Sequence, residues 1–130
     1  MHSELQLTTE PIDEQRLAAS RSLDGGSGAV ITFLGVVRGV EGEQHIGGLG
    51  YEAFELMARH QFEKIFLAAA HRWPIDSLRL VHRLGPVRVN EPSLWVEVIA
   101  PHRGEAFAAC QFVIDEMKRL VPIWKRVIPS

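Results

Sequence analysis

The chain has 130 residues, 46% of them hydrophobic, and a formal net charge of only −2, which suits one compact domain over residues 1–130 that buries most of its apolar surface. A pI near 6.3 argues against a general nucleic-acid binder, whose footprint is a broad basic face. There is no run of about eighteen apolar residues and no charged-then-apolar leader, so neither a membrane span nor a secretory signal is expected, and the cytoplasm is the default location.

Leu5 and Leu7 alternate with polar residues across Ser3–Thr9, the pattern of a first strand, and Pro11 then opens a helix over about Ile12–Ser22. Asp24-Gly-Gly-Ser-Gly28 lacks the Gly-Lys-Ser/Thr ending of a phosphate loop and leads into a strand, so it is a turn. Ala29–Val37 is apolar on both alternating faces, as in a central strand covered on both sides, with Arg38 emerging at its end. Gly39–Gly48 holds four glycines and no periodicity, which predicts a mobile loop and a candidate lid. Leu49–Phe54 is a short strand. Glu55–Trp73 is a helix with Phe62, Ile65, Phe66 and Ala69 inward, closed by Pro74. Ser77–Leu84, Val87–Val89 and Ser93–Ala100 are strands parted by turns at Gly85-Pro86 and Asn90-Glu91-Pro92. Ala106, Cys110, Val113, Ile114, Met117, Leu120 and Val121 recur at helical spacing, giving a helix over about Arg103–Val121. Pro122 ends it and sends Ile123-Trp124-Lys125 out as an extended segment. The order of elements predicts an α+β fold with a mainly antiparallel sheet and packed helices.

The chemistry-bearing residues concentrate at the two ends of that last helix. Pro101-His102-Arg103 lies where a strand hands over to the helix. Its free backbone N–H groups attract anions, and a histidine and an arginine are electrostatically misplaced there unless an anion relieves them. The bland alternative is that Arg103 reaches Glu105 and His102 caps. At the other end Lys118 borders the apolar stripe, and Lys118, Arg119, Lys125 and Arg126 follow the last acidic residue, Glu116, as a cationic cluster. Lys118 and Lys125 also read as ordinary solvated lysines, and Arg38 as an ordinary charge at a strand end, although its fork suits phosphate. The six histidines show no zinc spacing, so no metal is expected, and nothing calls for a resident cofactor. No nucleophile elbow occurs. The only cysteine, Cys110, lies on the apolar stripe as a core residue and excludes an internal disulfide. The scattered Trp73, Trp95 and Trp124 are core or interface anchors.

Several pieces together resemble the large, catalytic subunit of molybdopterin synthase: Gly28–Arg38 with its Phe-Leu-Gly-Val-Val-Arg ending, Leu49–Phe54, Val81–Gly85 with Val89–Pro92, Pro101-His-Arg103 with Glu105–Phe107, and Asp115–Arg119 followed by Pro122–Lys125. The resemblance implies an α/β hammerhead-type subunit that forms a homodimer within a heterotetramer. Each end takes a small ubiquitin-like sulfur carrier bearing a C-terminal Gly-Gly thiocarboxylate. The implied reaction moves two sulfurs onto cyclic pyranopterin monophosphate to form the molybdopterin dithiolene. Residue by residue, Lys118 matches the family's essential lysine and Lys125 its second, while Arg38, His102 and Arg103 match its substrate-pocket cations. A lysine partly desolvated beside Met117 and Leu120 fits a base or nucleophile. One departure is Val127, where the family commonly carries an acid. The rival expectation is a non-catalytic dimeric module that binds a phosphorylated metabolite or a ubiquitin-like partner, needing the arginines but not the lysines. Arg103 and Lys118, fifteen positions apart on one helix, are separated by roughly 22 Å, so if both serve one pterin-sized substrate the simpler arrangement is a two-fold dimer that shares the site; the bland alternative is that Arg103 belongs to a separate structural contact.

Overall fold

A computed structural model describes all residues 1–130. The elements run β1 (His2–Thr8), α1 (Glu14–Ala19), β2 (Ala29–Val36), β3 (Val40–Glu41), β4 (Gln44–Ala53), α2 (Glu55–Arg72), β5 (Ser77–Arg83), β6 (Gly85–Arg88), β7 (Pro92–Ala100), α3 (Arg103–Leu120) and β8 (Ile123–Pro129). One sheet has the order β1-β5-β7-β2, and β4 carries a second sheet with β3 and β6 as well as β8. Every pairing is antiparallel except β1 with β5. The α+β, mainly antiparallel expectation holds. No helix is long and apolar enough to cross a membrane.

The principal core lies between the first sheet and the two long helices. Leu78, Leu80, Leu94, Val96 and Val98 project from β5 and β7 onto Phe62, Ile65, Phe66 and Ala69 of α2 and Ala106, Cys110, Val113 and Met117 of α3. The inward faces expected of both helices are therefore correct, except that Leu120 is exposed at the end of its helix. A smaller cluster of Val37, Ile46, Leu49 and Val87 holds the second sheet together.

Four expectations need correction. The strand β2 is an edge, not a central strand: it pairs only with β7, and Phe33, Leu34 and Val36 are exposed. Its two apolar faces reflect an uncovered surface on this single chain. The Gly39–Gly48 segment is no loose loop but a hairpin, in which Val40 pairs with His45 and Glu41 with Gln44 around Gly42 at φ +63. Glycine takes that left-handed conformation without steric penalty, which closes so tight a turn. Gly85-Pro86 begins β6 instead of turning between strands, and the chain changes sheets there. Helix α1 stops at Ala19, short of the expected Ser22. The cause is the far face of the first sheet, where buried Arg79 donates to Leu17 O (2.9 Å), Ser20 Oγ (2.8 Å) and both oxygens of Glu97 (2.8 and 2.9 Å). Arg21 completes the cluster on Glu97 Oε2 at 2.8 Å, which draws the chain out of the helix.

Gly28 fixes the relation between the start of β2 and the start of α3. A side chain at Gly28 would collide with the Pro101 carbonyl, so only glycine lets the Pro101-His102-Arg103 corner settle on the strand.

Candidate active site

The last turn of α3 and the first residues of β8 form one wall of a cavity of about 390 Å³. Pro122 produces this corner as expected. Val121 leaves helical geometry at φ −83, ψ 128, and Ile123 opens β8, which pairs Lys125 with Tyr51 and Trp124 with Glu52. The opposite wall is the end of β2 with Val37 and Arg38, and the floor holds Leu49, Tyr51, His82, Leu94 and Met117. A mainly apolar base, interrupted by Tyr51 and His82, thus lies beneath a basic rim.

Three of the five residues singled out in the sequence meet here: Arg38, Lys118 and Lys125. Lys125 Nζ lies 3.2 Å from Glu41 Oε1. Neither Arg38 nor Lys118 has a carboxylate within ion-pairing distance. Both are exposed, so the partial desolvation expected of Lys118 is absent from the isolated chain. Three converging cations with one carboxylate between them leave a site with surplus positive charge, suited to a phosphorylated or carboxylate-bearing ligand.

His102 and Arg103 lie at the far end of α3 and do not line this cavity. His102 occupies the N-cap position, but its side chain makes no capping hydrogen bond. Arg103 has no ion pair with Glu105 or any other acid. Both bland alternatives therefore fail, and an exposed imidazole and an exposed guanidinium remain at a helix start. No cluster of three His, Cys, Asp or Glu side chains is placed to hold a metal.

The family model described as MoaE protein matches residues 7–120. The chain belongs to the MoaE protein family. It is 37% identical over 129 residues to the molybdopterin synthase catalytic subunit of Pyrococcus abyssi, covering 97% of this chain and 86% of the relative. The Pseudomonas aeruginosa protein of the same name is 37% identical over 112 residues, covering 86% and 75%. Among solved structures, molybdopterin synthase from Staphylococcus aureus superposes with a TM-score of 0.87 at 30% identity, over 96% of this chain and 90% of that one. The resemblance read from the sequence motifs is borne out at the level of family and fold, and MoaE membership makes this chain an enzyme subunit of molybdopterin synthesis.

Within this MoaE chain, three cavity residues escaped the sequence reading. Glu41 sits in the hairpin that resembled a loop and supplies the carboxylate beside Lys125 that Val127 does not. Tyr51 and His82 meet edge to face on the floor, ring centroids 5.2 Å apart. The Val81–Gly85 piece of the resemblance contained His82 but gave it no task. Burial pushes the His82 imidazole below its usual pKa, against an opposing hydrogen bond to the Arg83 carbonyl.

Proposed function

We propose that this chain is the catalytic subunit of a molybdopterin synthase and acts as a sulfurtransferase. It moves two sulfurs from the C-terminal thiocarboxylate of a small ubiquitin-like carrier to cyclic pyranopterin monophosphate, forming the dithiolene. The observation that carries this is the cavity itself: Arg38, Lys118 and Lys125 converge over an apolar floor, and a single carboxylate, Glu41, stands among them. The names of the relatives, which are those of a catalytic subunit, support the presence of a second subunit.

Each residue has a task that its chemistry suits. The Arg38 guanidinium, planar and always charged, pairs with the substrate phosphate. Lys118, without an ion-pair partner, is the reactive amine at the transfer centre. Lys125, oriented by Glu41, holds the incoming carboxylate end of the carrier. The sulfur arrives on that tail, so the subunit needs no reactive cysteine of its own, and tethering replaces a high concentration of free sulfide. Cys110 fits this division of labour: it is buried in the core, and burial pushes its thiol up to about 11.

The remaining two residues, His102 and Arg103, complete the site from a second copy of the chain. Arg103 opens α3 and Lys118 lies in its last turn, roughly 22 Å away at the standard rise. A two-fold dimer places His102 and Arg103 of one copy at the Lys118 and Lys125 end of the other. Mixing Arg103→Ala with Lys118→Ala protein under subunit exchange tests this. Each mixed dimer has one doubly damaged site and one intact site, so about a quarter of wild-type activity returns. Confirmed exchange without recovery, each single variant being inactive, would refute the shared site. Dithiolene formation with thiocarboxylated carrier, and none with free sulfide at physiological concentration, tests the reaction as a whole.

A further inference from the structure

One polar side chain on the cavity floor stands where the fold calls for an apolar one. Along β5, Leu78 and Leu80 point into the principal core, and His82 holds the next position of the same row, opposite Leu94 of β7. His82 is 5% exposed. Its Nδ1 lies 2.8 Å from the carbonyl oxygen of Arg83. A carbonyl only accepts, so Nδ1 carries the hydrogen and Nε2 bears a lone pair. That lone pair has no protein partner. Yet it is not sealed away, since the only orphaned and fully enclosed side-chain polar atoms are Arg83 Nε and Glu105 Oε2. His82 lines the cavity, and Nε2 is its free acceptor there.

The surroundings keep the imidazole neutral. Burial disfavours the charged ring. The titratable and charged groups that share the cavity are Arg38, Lys118, Lys125, the Glu41 carboxylate that faces Lys125, and the Tyr51 phenol. Cations dominate that set, and an imidazolium among them is unfavourable. Among the other polar side chains of the site, Arg38 and both lysines only donate and Glu41 Oε1 is engaged by Lys125, while the Ser93 and Tyr51 hydroxyls can accept a hydrogen bond but are far too weakly basic to take the proton. A purely structural requirement at this position would be met by the Nδ1 bond alone.

We propose that His82 is the proton acceptor at the floor of this cavity, its Nε2 taking a hydrogen bond, and during turnover the proton, from an N–H or O–H group of the bound substrate. The donor bond breaks, its electron pair stays on the nitrogen or oxygen, and the proton passes from Nε2 to solvent water at the cavity mouth. This deepens the sulfur-transfer function proposed above and rests on it.

Two substitutions separate catalysis from packing in the full-length dimer with its thiocarboxylated carrier. His82→Asn sets an amide near the Nδ1 position, keeping the bond to Arg83 and removing the acceptor. His82→Gln sets an oxygen near the Nε2 position that accepts a hydrogen bond but holds no proton. The expected result is a fall in kcat of about 100-fold or more for both, with KM raised by Asn and held near wild type by Gln. Both variants also lose the acid limb of the kcat profile, which in the wild type marks protonation of Nε2. Activities within about 3-fold of wild type, or an acid limb that persists in the variants, would overturn the assignment. Should the variants fail to fold, long-range ¹H–¹⁵N spectra of the wild type decide. Cyclic pyranopterin monophosphate must shift the Nε2 resonance of a neutral, Nδ1-protonated His82, and an unmoved resonance sinks the idea. Wild-type protein that makes no dithiolene refutes the sulfur-transfer function instead, a separate result, because the spectra require binding alone.

Discussion

Two clefts on this molecule are alike in size and opposite in chemistry. The larger, about 470 Å³, is lined by His2, Asp24, Asp76, Arg79, Glu97 and several serines around the far face of the first sheet. The smaller, about 390 Å³, is the Arg38, Lys118 and Lys125 cavity. In the first, the charged groups all have polar partners at its centre: Arg79 uses its donors on Glu97, Ser20 and Leu17, lies 5.1 Å from the Trp95 ring centroid and shares Glu97 with Arg21, and Asp24 and Asp76 accept from Ser27. In the second, two cations point at nothing. The difference between them is unmatched positive charge, not size, and the proposed site is the cleft that carries it. Saturated ion clusters hold elements together, whereas a site that must bind an anion leaves its donors open.

The strongest way to break this contrast is to remove one charge from each cleft. Lys118→Ala is expected to reduce dithiolene formation by about 10³-fold or more, while melting temperature stays close to wild type, because an exposed lysine contributes little to packing. Lys118→Arg is expected to stay inactive, since a guanidinium does not give up its proton at working pH. Near-normal turnover in either variant would remove Lys118 from the mechanism and leave the non-catalytic module as the better account.

Glu97→Gln is expected to do the reverse, destabilising the fold by about 3 to 5 kcal/mol in a denaturant titration and affecting the active site only through folding. The Glu97 side chain is fully enclosed, and two arginines would lose their shared counter-ion. The same cluster sets a pH dependence. Burial alone would raise the Glu97 pKa, but hydrogen bonds from Arg79 and Arg21 and their charges outweigh it, so the carboxyl titrates below its ordinary value. A carboxylate with a depressed folded pKa contributes stability that is present above the unfolded pKa, about 4.3 for a glutamate. That contribution is lost as pH falls through the folded value. Stability of the wild type should therefore decline in that acid window, and the decline should flatten in Glu97→Gln.

A smaller effect should follow at the border of the two behaviours. Glu41→Gln releases Lys125 from its 3.2 Å partner. The pair is half exposed, so stability should change by less than about 1 kcal/mol, while turnover drops several-fold through misplacement of the amine. Unchanged kinetics would reduce Glu41 to a surface contact. The smallest expected effect is none: at pH 8 the Cys110 thiol, pushed up to about 11 by burial, should resist alkylation in the native protein, with activity retained, and react once denaturant is added.

Legibility from sequence followed locality. Helix α3, its Pro122 stop and the cations at its ends could be read because each depends on neighbours within a few positions. Glu41 beside Lys125 could not, since that contact joins a two-residue strand to the last strand across the second sheet. His82 was hidden for a related reason: alternation along β5 marks it as inward, but only the arrival of Tyr51 and Met117 from elsewhere turns that inward position into the floor of a cavity. The edge strand β2 misled because apolar residues on both faces look the same whether another part of the chain covers them or nothing does.

The pairing of the first sheet also sets the order in which the chain acquires its shape. His2 lies opposite Ser77, and Ala29 opposite Ala100. Of its three ladders only β5 with β7 joins segments close in the chain. Long loops must close before β1 and β2 gain any partner, and such closure is slow compared with forming a helix or a near-neighbour strand pair. On the ribosome, β2 emerges early and waits for its partner strand until β7 is made, from Pro92 onward. Its Phe33, Leu34 and Val36 make it the sticky segment of the nascent chain, and the stretch at which slow translation or a missing chaperone would first show as aggregation.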